Sequence, residues 1–442
     1  MPIPRERDVQ GHPLSAIGIA LTTVSALLFL SFWALDAAGW IRNPYVGLLA
    51  FVAIPACFAV GLILIPIGGW LARRRARRGL AALPRWPAID LNEPRARRFA
   101  LLIVAATVVN IVLIAAAGHG AVEYMDSPAF CGGICHTPMR PQYVQWQQSA
   151  HAQIACVDCH VGSEPGGFLK AKTAGTRRLL HVITGAYPRP ILAGPSALPA
   201  PSFTCEECHS RASFTGDKVV AIRSFGDDAA NTESVTTLHL HVGVGPSPSK
   251  DEGRIHWHAD PSRRIEFVAD GADGAVSWVR VTERDGQAST YVADGVKTDA
   301  PKATPRRMDC LDCHSRPAHP FAASAERVVD RAIADGRLDR SLPSIRQETV
   351  RALSATHATT AEGVEAIGRA LRPRYGEGTV QTAQALYQQY VFPSMHVGWG
   401  TYANQLGHTD SPGCFRCHDD SHKTTDGRVI RQDCTLCHAI EQ

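Results

Sequence analysis

Twelve of the thirteen cysteines fall into six short clusters, and every cluster ends in a histidine. Five read Cys-x-x-Cys-His: Cys156–His160, Cys205–His209, Cys310–His314, Cys414–His418 and Cys434–His438. The sixth, Cys131-Gly-Gly-Ile-Cys135-His136, is one residue longer. Two thiols at this separation form thioethers with the two vinyl groups of one haem, and the adjacent histidine then gives iron its first axial ligand. Zinc knuckles need cysteine and histidine pairs at other spacings. A disulfide framework has no cysteines left, since only Cys57 remains, in an apolar stretch that suits a small buried side chain. The implied cofactor is haem c, six copies. The attachment residues are Cys131, Cys135, Cys156, Cys159, Cys205, Cys208, Cys310, Cys313, Cys414, Cys417, Cys434 and Cys437. The proximal ligands are His136, His160, His209, His314, His418 and His438.

The elements that position these clusters begin with hydrophobic runs. The formal charge of +4 over 442 residues hides an uneven distribution. Leu14–Ala38, Val46–Leu71 and Phe99–Ala117 are each long enough to cross a bilayer as a helix. Between the second and third run lie Arg73, Arg74, Arg75, Arg77, Arg78, Arg85, Arg95, Arg97 and Arg98, whereas the link between the first two carries only Arg42. The positive-inside rule puts the basic segment in the cytoplasm, together with the N-terminus. The third helix then delivers everything after about His119 to the far side. The expected location is the bacterial cytoplasmic (inner) membrane, with a periplasmic haem domain. That agrees with attachment of c-type haem outside the cytoplasm. The first run exceeds a cleaved signal peptide and reads as a retained anchor. Arginines held between two membrane spans are not a nucleic-acid surface, so no nucleic-acid partner is expected.

Past the anchor, composition changes four times. Residues 121–213 hold three motifs with too little sequence between them for a conventional core, so haem itself must be the apolar filling. Residues 214–300 lack cysteine and carry strand-like runs at Lys218–Phe225, Val235–Val242, Arg263–Val268, Val276–Thr282 and Thr290–Ala293, with Asp285-Gly286 as a hairpin turn. Residues 301–322 hold the fourth motif. Residues 323–390 read as a helical spacer, with Ser344-x-x-Gln347 and Thr359-x-x-Glu362 as capping boxes and Val364, Ile367 and Leu371 at helical spacing. Residues 391–442 are a loop-rich tail with the last two motifs. The fold class is therefore an α-helical membrane anchor of three transmembrane helices. It carries a loop-rich multihaem cytochrome c domain with a small antiparallel β-rich insertion and a helical spacer. Residues 1–120 form the anchor.

The stretch CGGICHTPMRPQYVQWQQSAHAQIACVDCH, Cys131–His160, follows an outward-running helix. It resembles the NapC/NirT/NrfH family of membrane-anchored multihaem quinol dehydrogenases, over roughly residues 99–210 and 310–319. The resemblance implies oxidation of quinol, such as menaquinol, and delivery of electrons to periplasmic enzymes. It implies Met139 as a ligand to the first haem, although Met139 stands three residues after His136 where the family has two. It also implies that His319 completes the haem of His160 and that His151 completes that of His314. Family members use a lysine and an acid near the first haem to take quinol protons; Lys170, Lys172 and Asp126 are the corresponding candidates here. Each reads equally well as an interfacial or solvated charge.

The chain departs from the short family members by its extra first-motif residue, two extra membrane helices, the β-rich insertion and two added haems. For the haem of His209 the candidates are His256 and His258, which flank Trp257 and share a face of an extended segment, with His239 and His241 as competitors. For the last two haems the candidates are His408 and His422, with Met395 and His396 in reserve. His181 and His357 read as structural. The leading expectation is quinol oxidation at the periplasmic face, with electrons leaving along six haems to a periplasmic or extracellular-respiration acceptor. The partners are then the quinol pool, the lipid bilayer and an acceptor protein. The alternatives are a relay subunit within a larger respiratory complex, lacking its own quinol site, and a reductase of a small oxyanion.

Overall fold

The computed structural model describes residues 13–37, 54–78, 92–133, 136–164, 167–192, 198–210, 213, 216–243, 254–270, 274–296 and 303–441. The chain divides into two units, Met1–Phe130 and Cys131–Gln442.

In the first unit three helices match the three apolar runs: α1 (Pro13–Ala37), α2 (Ile54–Arg77) and α3 (Pro94–Asp126). Each is long and apolar enough to span a bilayer. Small residues let α1 and α2 approach closely. A Cβ added to Gly18 would stand 2.7 Å from the Gly61 carbonyl oxygen, and Ser15 Oγ donates to Ile65 O across the pair at 3.0 Å. Close backbone approach through small residues is the packing that works in lipid, where apolar side chains gain nothing from leaving their solvent. On α3, Leu101, Val104, Val108, Ile111 and Val112 are exposed, as a lipid-facing surface requires. Pro94 occupies the first turn of α3, where a missing N–H costs nothing.

The second unit opens with α4 (His136–Gln147) and α5 (Gly167–Ile183), separated by the one-turn helix Cys156–His160. Two antiparallel sheets follow. One has the order β1-β2-β7, from Lys218–Phe225, Glu233–Leu240 and His438–Glu441. The other has the order β5-β4-β3-β6, where β3 is Arg264–Asp270, β4 Ala275–Thr282, β5 Ala288–Val292 and β6 Arg306–Arg307. The β4–β5 connection turns at Gly286, φ +84°, a conformation that glycine adopts without strain. The β region is thus not a closed insertion. β7 is the extreme C-terminus, and β6 directly precedes the fourth motif. Neither strand has an apolar run long enough to be read from sequence; each is recruited by an open sheet edge. Ile265, Phe267, Val276 and Val279 form the buried core of the larger sheet, with Trp257 and Cys417 packed on it.

Residues 325–390 form four helices: α6 (Ala325–Ala334), α7 (Ile345–Ser354), α8 (Thr360–Leu371) and α9 (Glu377–Tyr390). They bury the largest conventional core among the described residues, including Val329, Ile345, Leu353, Ile367, Leu371, Leu386 and Tyr387. Thr359 caps α8, its hydroxyl accepting from Glu362 N at 3.2 Å while the Glu362 carboxylate accepts from Thr359 N. Ser344 does not act in this way. It adopts the left-handed conformation, φ 55° and ψ 24°, which turns its hydroxyl from the helix, and its N–H donates instead to Ala229 O. Asn231, fully buried, ties the first sheet to α7: its amide donates to Arg340 O and Leu342 O and accepts from Arg346 N.

Candidate functional site

Five motif histidines each face a second imidazole. The ring centres are 6.4 Å apart for His160 and His319, 6.1 Å for His209 and His151, and 6.3 Å for His314 and His256. They are 5.9 Å apart for His418 and His258, and 6.2 Å for His438 and His408. A metal–imidazole bond is about 2 Å and Nε2 lies about 1 Å from the ring centre, so two rings sharing one iron stand about 6 Å apart. The gaps therefore fit a haem iron between each pair.

The ring nitrogens agree. Nδ1 of His151 meets Pro317 O at 3.1 Å, that of His319 meets Gln142 O at 3.0 Å, and that of His258 meets Ile255 O at 2.9 Å. His418 Nδ1 meets Arg431 O at 3.0 Å, and His256 Nδ1 meets Val242 O. A carbonyl only accepts, so Nδ1 carries the proton and Nε2 keeps a free lone pair, which is how ligating histidines are fixed by their outer shell. Desolvation lowers the pKa of His160, His258, His314, His418 and His438, and takes that of His319 down to about 4, which favours the neutral ring at these six. Burial also pushes the Cys417 thiol up to about 12, so the sulfur sits there uncharged, as a thioether would.

Spatial order follows chain order. Cys156 lies within hydrogen-bond reach of Cys131, and Cys159 lies within electrostatic reach of Cys205 and Cys208. His314 lies near His209, Cys313 near Cys414, and Cys437 near Cys414.

Two expected pairings change. His151 faces His209 and not His314, because Pro317, just beyond the fourth motif, holds the His151 ring from behind. Neither His256 nor His258 faces His209. Ile255–Ala259 is a 3-10 helix, not an extended segment. Successive side chains there differ by about 120°, so residues two apart diverge. His256 consequently meets the fourth motif and His258 the fifth. Trp257 between them packs on the sheet core, with the Arg263 guanidinium 4.7 Å above its ring.

His422 is not a ligand in this arrangement. It is 1% exposed, with Nδ1 2.8 Å from an Asp419 carboxylate oxygen and Nε2 2.9 Å from Val276 O, so neither nitrogen is free. Its role is to tie the fifth motif to β4. His241 and His239 contact Asp217 and Glu441, at 3.2 and 3.3 Å. Met395 is buried in a core cluster with Phe321, Phe392, Val397 and Tyr402.

The first motif is only partly described. Cys135 and the His136 side chain lie outside the described residues, and Met139 is half-buried on α4. Lys170 and Lys172 are on α5, but their side chains also lie outside the described residues. Asp126 is the last residue of α3.

A profile of the NapC/NirT cytochrome c family, N-terminal region, matches residues 93–190. The chain is also 33% identical over 448 residues to the cytochrome c-type protein ImcH of Geobacter sulfurreducens, covering 97% of this chain and 88% of that one. The chain belongs to the NapC/NirT cytochrome c family. Within that family it is 26% identical over 128 residues to the cytochrome c-type protein NrfH of Wolinella succinogenes, covering 28% of this chain and 72% of that one. It is 30% identical over 110 residues to the cytochrome c nitrite reductase subunit NrfH of Nitratidesulfovibrio vulgaris, covering 25% and 67%. No solved structure matches the chain. Membership brings covalently bound haem c, a membrane anchor and a part in electron transport. The match to the NrfH proteins covers only about a quarter of this NapC/NirT chain.

Proposed function

We propose that this cytochrome oxidises quinol at the periplasmic face of the cytoplasmic membrane and passes the electrons along six covalently attached haems to a periplasmic acceptor. Haem, once bound, supplies reversible one-electron chemistry at potentials that the axial ligands, burial and nearby charge adjust. The observation that carries the reading is the row of five imidazole pairs in chain order, beginning beside the first motif and ending at the C-terminal strand. His160/His319, His209/His151, His314/His256, His418/His258 and His438/His408 would hold five irons, each with both axial positions filled. That favours electron transfer over reduction of a small oxyanion, which needs an open position.

The first site differs. Met139 and His136 are its candidate ligands, and Lys170, Lys172 and Asp126 are the candidates to accept the two protons that quinol releases. The Cys131 motif follows α3 in the chain after four residues, which supports a first haem fed by a lipid-borne donor.

Stopped-flow mixing of the oxidised, detergent-solubilised protein with a menaquinol analogue tests this. Fast growth of the reduced haem α-band, abolished by a quinone-site inhibitor, is the expected result. Reduction by dithionite but not by quinol would instead make the chain a relay subunit fed by another protein of a respiratory complex.

A further inference from the structure

Beside His151 and His314 a cavity of about 400 Å³ opens, between the third and fourth haem sites. Arg316, Arg327 and Arg331 all line it. Arg327 and Arg331 are one turn apart on α6, on the same side of the helix. Asp410 is the one carboxylate on the wall, and it is 3.0 Å from Arg327. Arg316 Nε is buried with no hydrogen-bond partner, and its guanidinium lies 4.8 Å over the Tyr402 ring. Arg331 has no carboxylate at ion-pairing distance among the described residues. Three guanidiniums against one carboxylate leave two positive charges uncompensated beside a partly apolar wall that includes Phe321 and Tyr390. Arg316 is half-buried while Arg327 and Arg331 reach the surface, and a half-buried guanidinium without a carboxylate calls for an anionic partner. The planar guanidinium fork matches a carboxylate with two parallel hydrogen bonds. No motif cysteine lines the cavity. The thioether edges of the two haems would therefore point elsewhere, which leaves room for a carboxylate-bearing edge to face it.

We propose that Arg316, Arg327 and Arg331 bind propionate carboxylates of the haems attached at the third and fourth motifs. Two propionate charges balance the two uncompensated arginines. The proposal rests on the assignment of His209/His151 and His314/His256 as ligand pairs. The arginines seat the haem edges against α6 and, as positive charges beside iron, favour the ferrous state.

The test uses the full-length holoprotein with Arg316→Gln, Arg331→Gln, Arg316→Lys and Arg331→Lys. Haem content is counted by pyridine haemochrome, and the midpoint potentials are read by spectroelectrochemistry. Both Gln variants should keep six haems and shift one or two potentials downward, while both Lys variants stay near wild type. If the Gln variants lose haem, wild-type haem content and potentials in the Lys variants still support the proposal. Unchanged potentials in the Gln variants overturn it, as do Lys variants shifted or depleted of haem as far as the Gln ones. A diffusible anion is the other possible occupant. Added sodium acetate or nitrite should leave the wild-type potentials unchanged; a shift that Arg316→Gln abolishes would give the cavity to a free anion and overturn the proposal. A high-spin signal from the third and fourth haems of the wild type would sink the ligand assignment itself, a result separable from any of these.

Discussion

The imidazoles of His256 and His314 are 7° from parallel with centres 6.3 Å apart, whereas His258, two residues along, meets His418 at 76° and 5.9 Å. One short helix thus serves the fourth and fifth motifs at once, with a different ring geometry at each. Exchanging either histidine for methionine should raise the potential of a single haem, since thioether ligation favours the ferrous state. His256→Met and His258→Met should move different haems. Redox titration of the two variants checks this, and a shift of the same component in both would refute the shared helix.

Ring orientation gives a second prediction. Parallel axial imidazoles split the iron d-orbitals strongly and give a rhombic ferric signal; crossed rings give a highly anisotropic one. The pairs of His256/His314 at 7° and His408/His438 at 25° should contribute rhombic spectra. Those of His151/His209 at 64° and His258/His418 at 76° should contribute the anisotropic type. Low-temperature EPR of the oxidised protein should resolve both classes, and a spectrum of one class alone would contradict the ring angles.

His422 separates a structural histidine from a ligand. Replacing it with alanine removes two buried hydrogen bonds, one to Asp419 and one to Val276 O. The cost should be about 2–4 kcal/mol of stability. The low-spin haem absorption at neutral pH should not change. Denaturation followed by circular dichroism, beside an absorption spectrum of the folded variant, distinguishes this from loss of a ligand.

Asn231 is the corresponding test of the scaffold. Its side chain makes three hydrogen bonds to the segment around α7, from a backbone at φ 48° that asparagine tolerates better than most residues. Asn231→Ala loses the bonds and keeps the strain, so about 2–4 kcal/mol should be lost. The melting temperature should fall while the axial ligation seen in the absorption spectrum stays as it is.

Much of this was legible in the residues. Cysteine spacing proposes the attachment sites without any structure, because covalent chemistry sets the separation of two thioethers. Apolar run length and arginine placement locate α1, α2 and α3. Distal ligation was legible only as a pool of histidines. Which ring meets which iron depends on contacts far apart in the chain, such as Pro317 behind His151, 166 residues away. His256 and His258 misled because a period of two reads as a strand, while the backbone there is a 3-10 helix. His422 sits near a motif as a ligand would, and only its occupied nitrogens give it away. β6 and β7, two and four residues long, are too short to carry a pattern.

The most direct test of the five imidazole pairs is near-infrared magnetic circular dichroism of the fully oxidised protein, whose charge-transfer bands report the axial ligand pair of each low-spin haem. Five haems should give the bis-imidazole band and the first a different one. Two or more haems with methionine or high-spin character would contradict the five imidazole pairs.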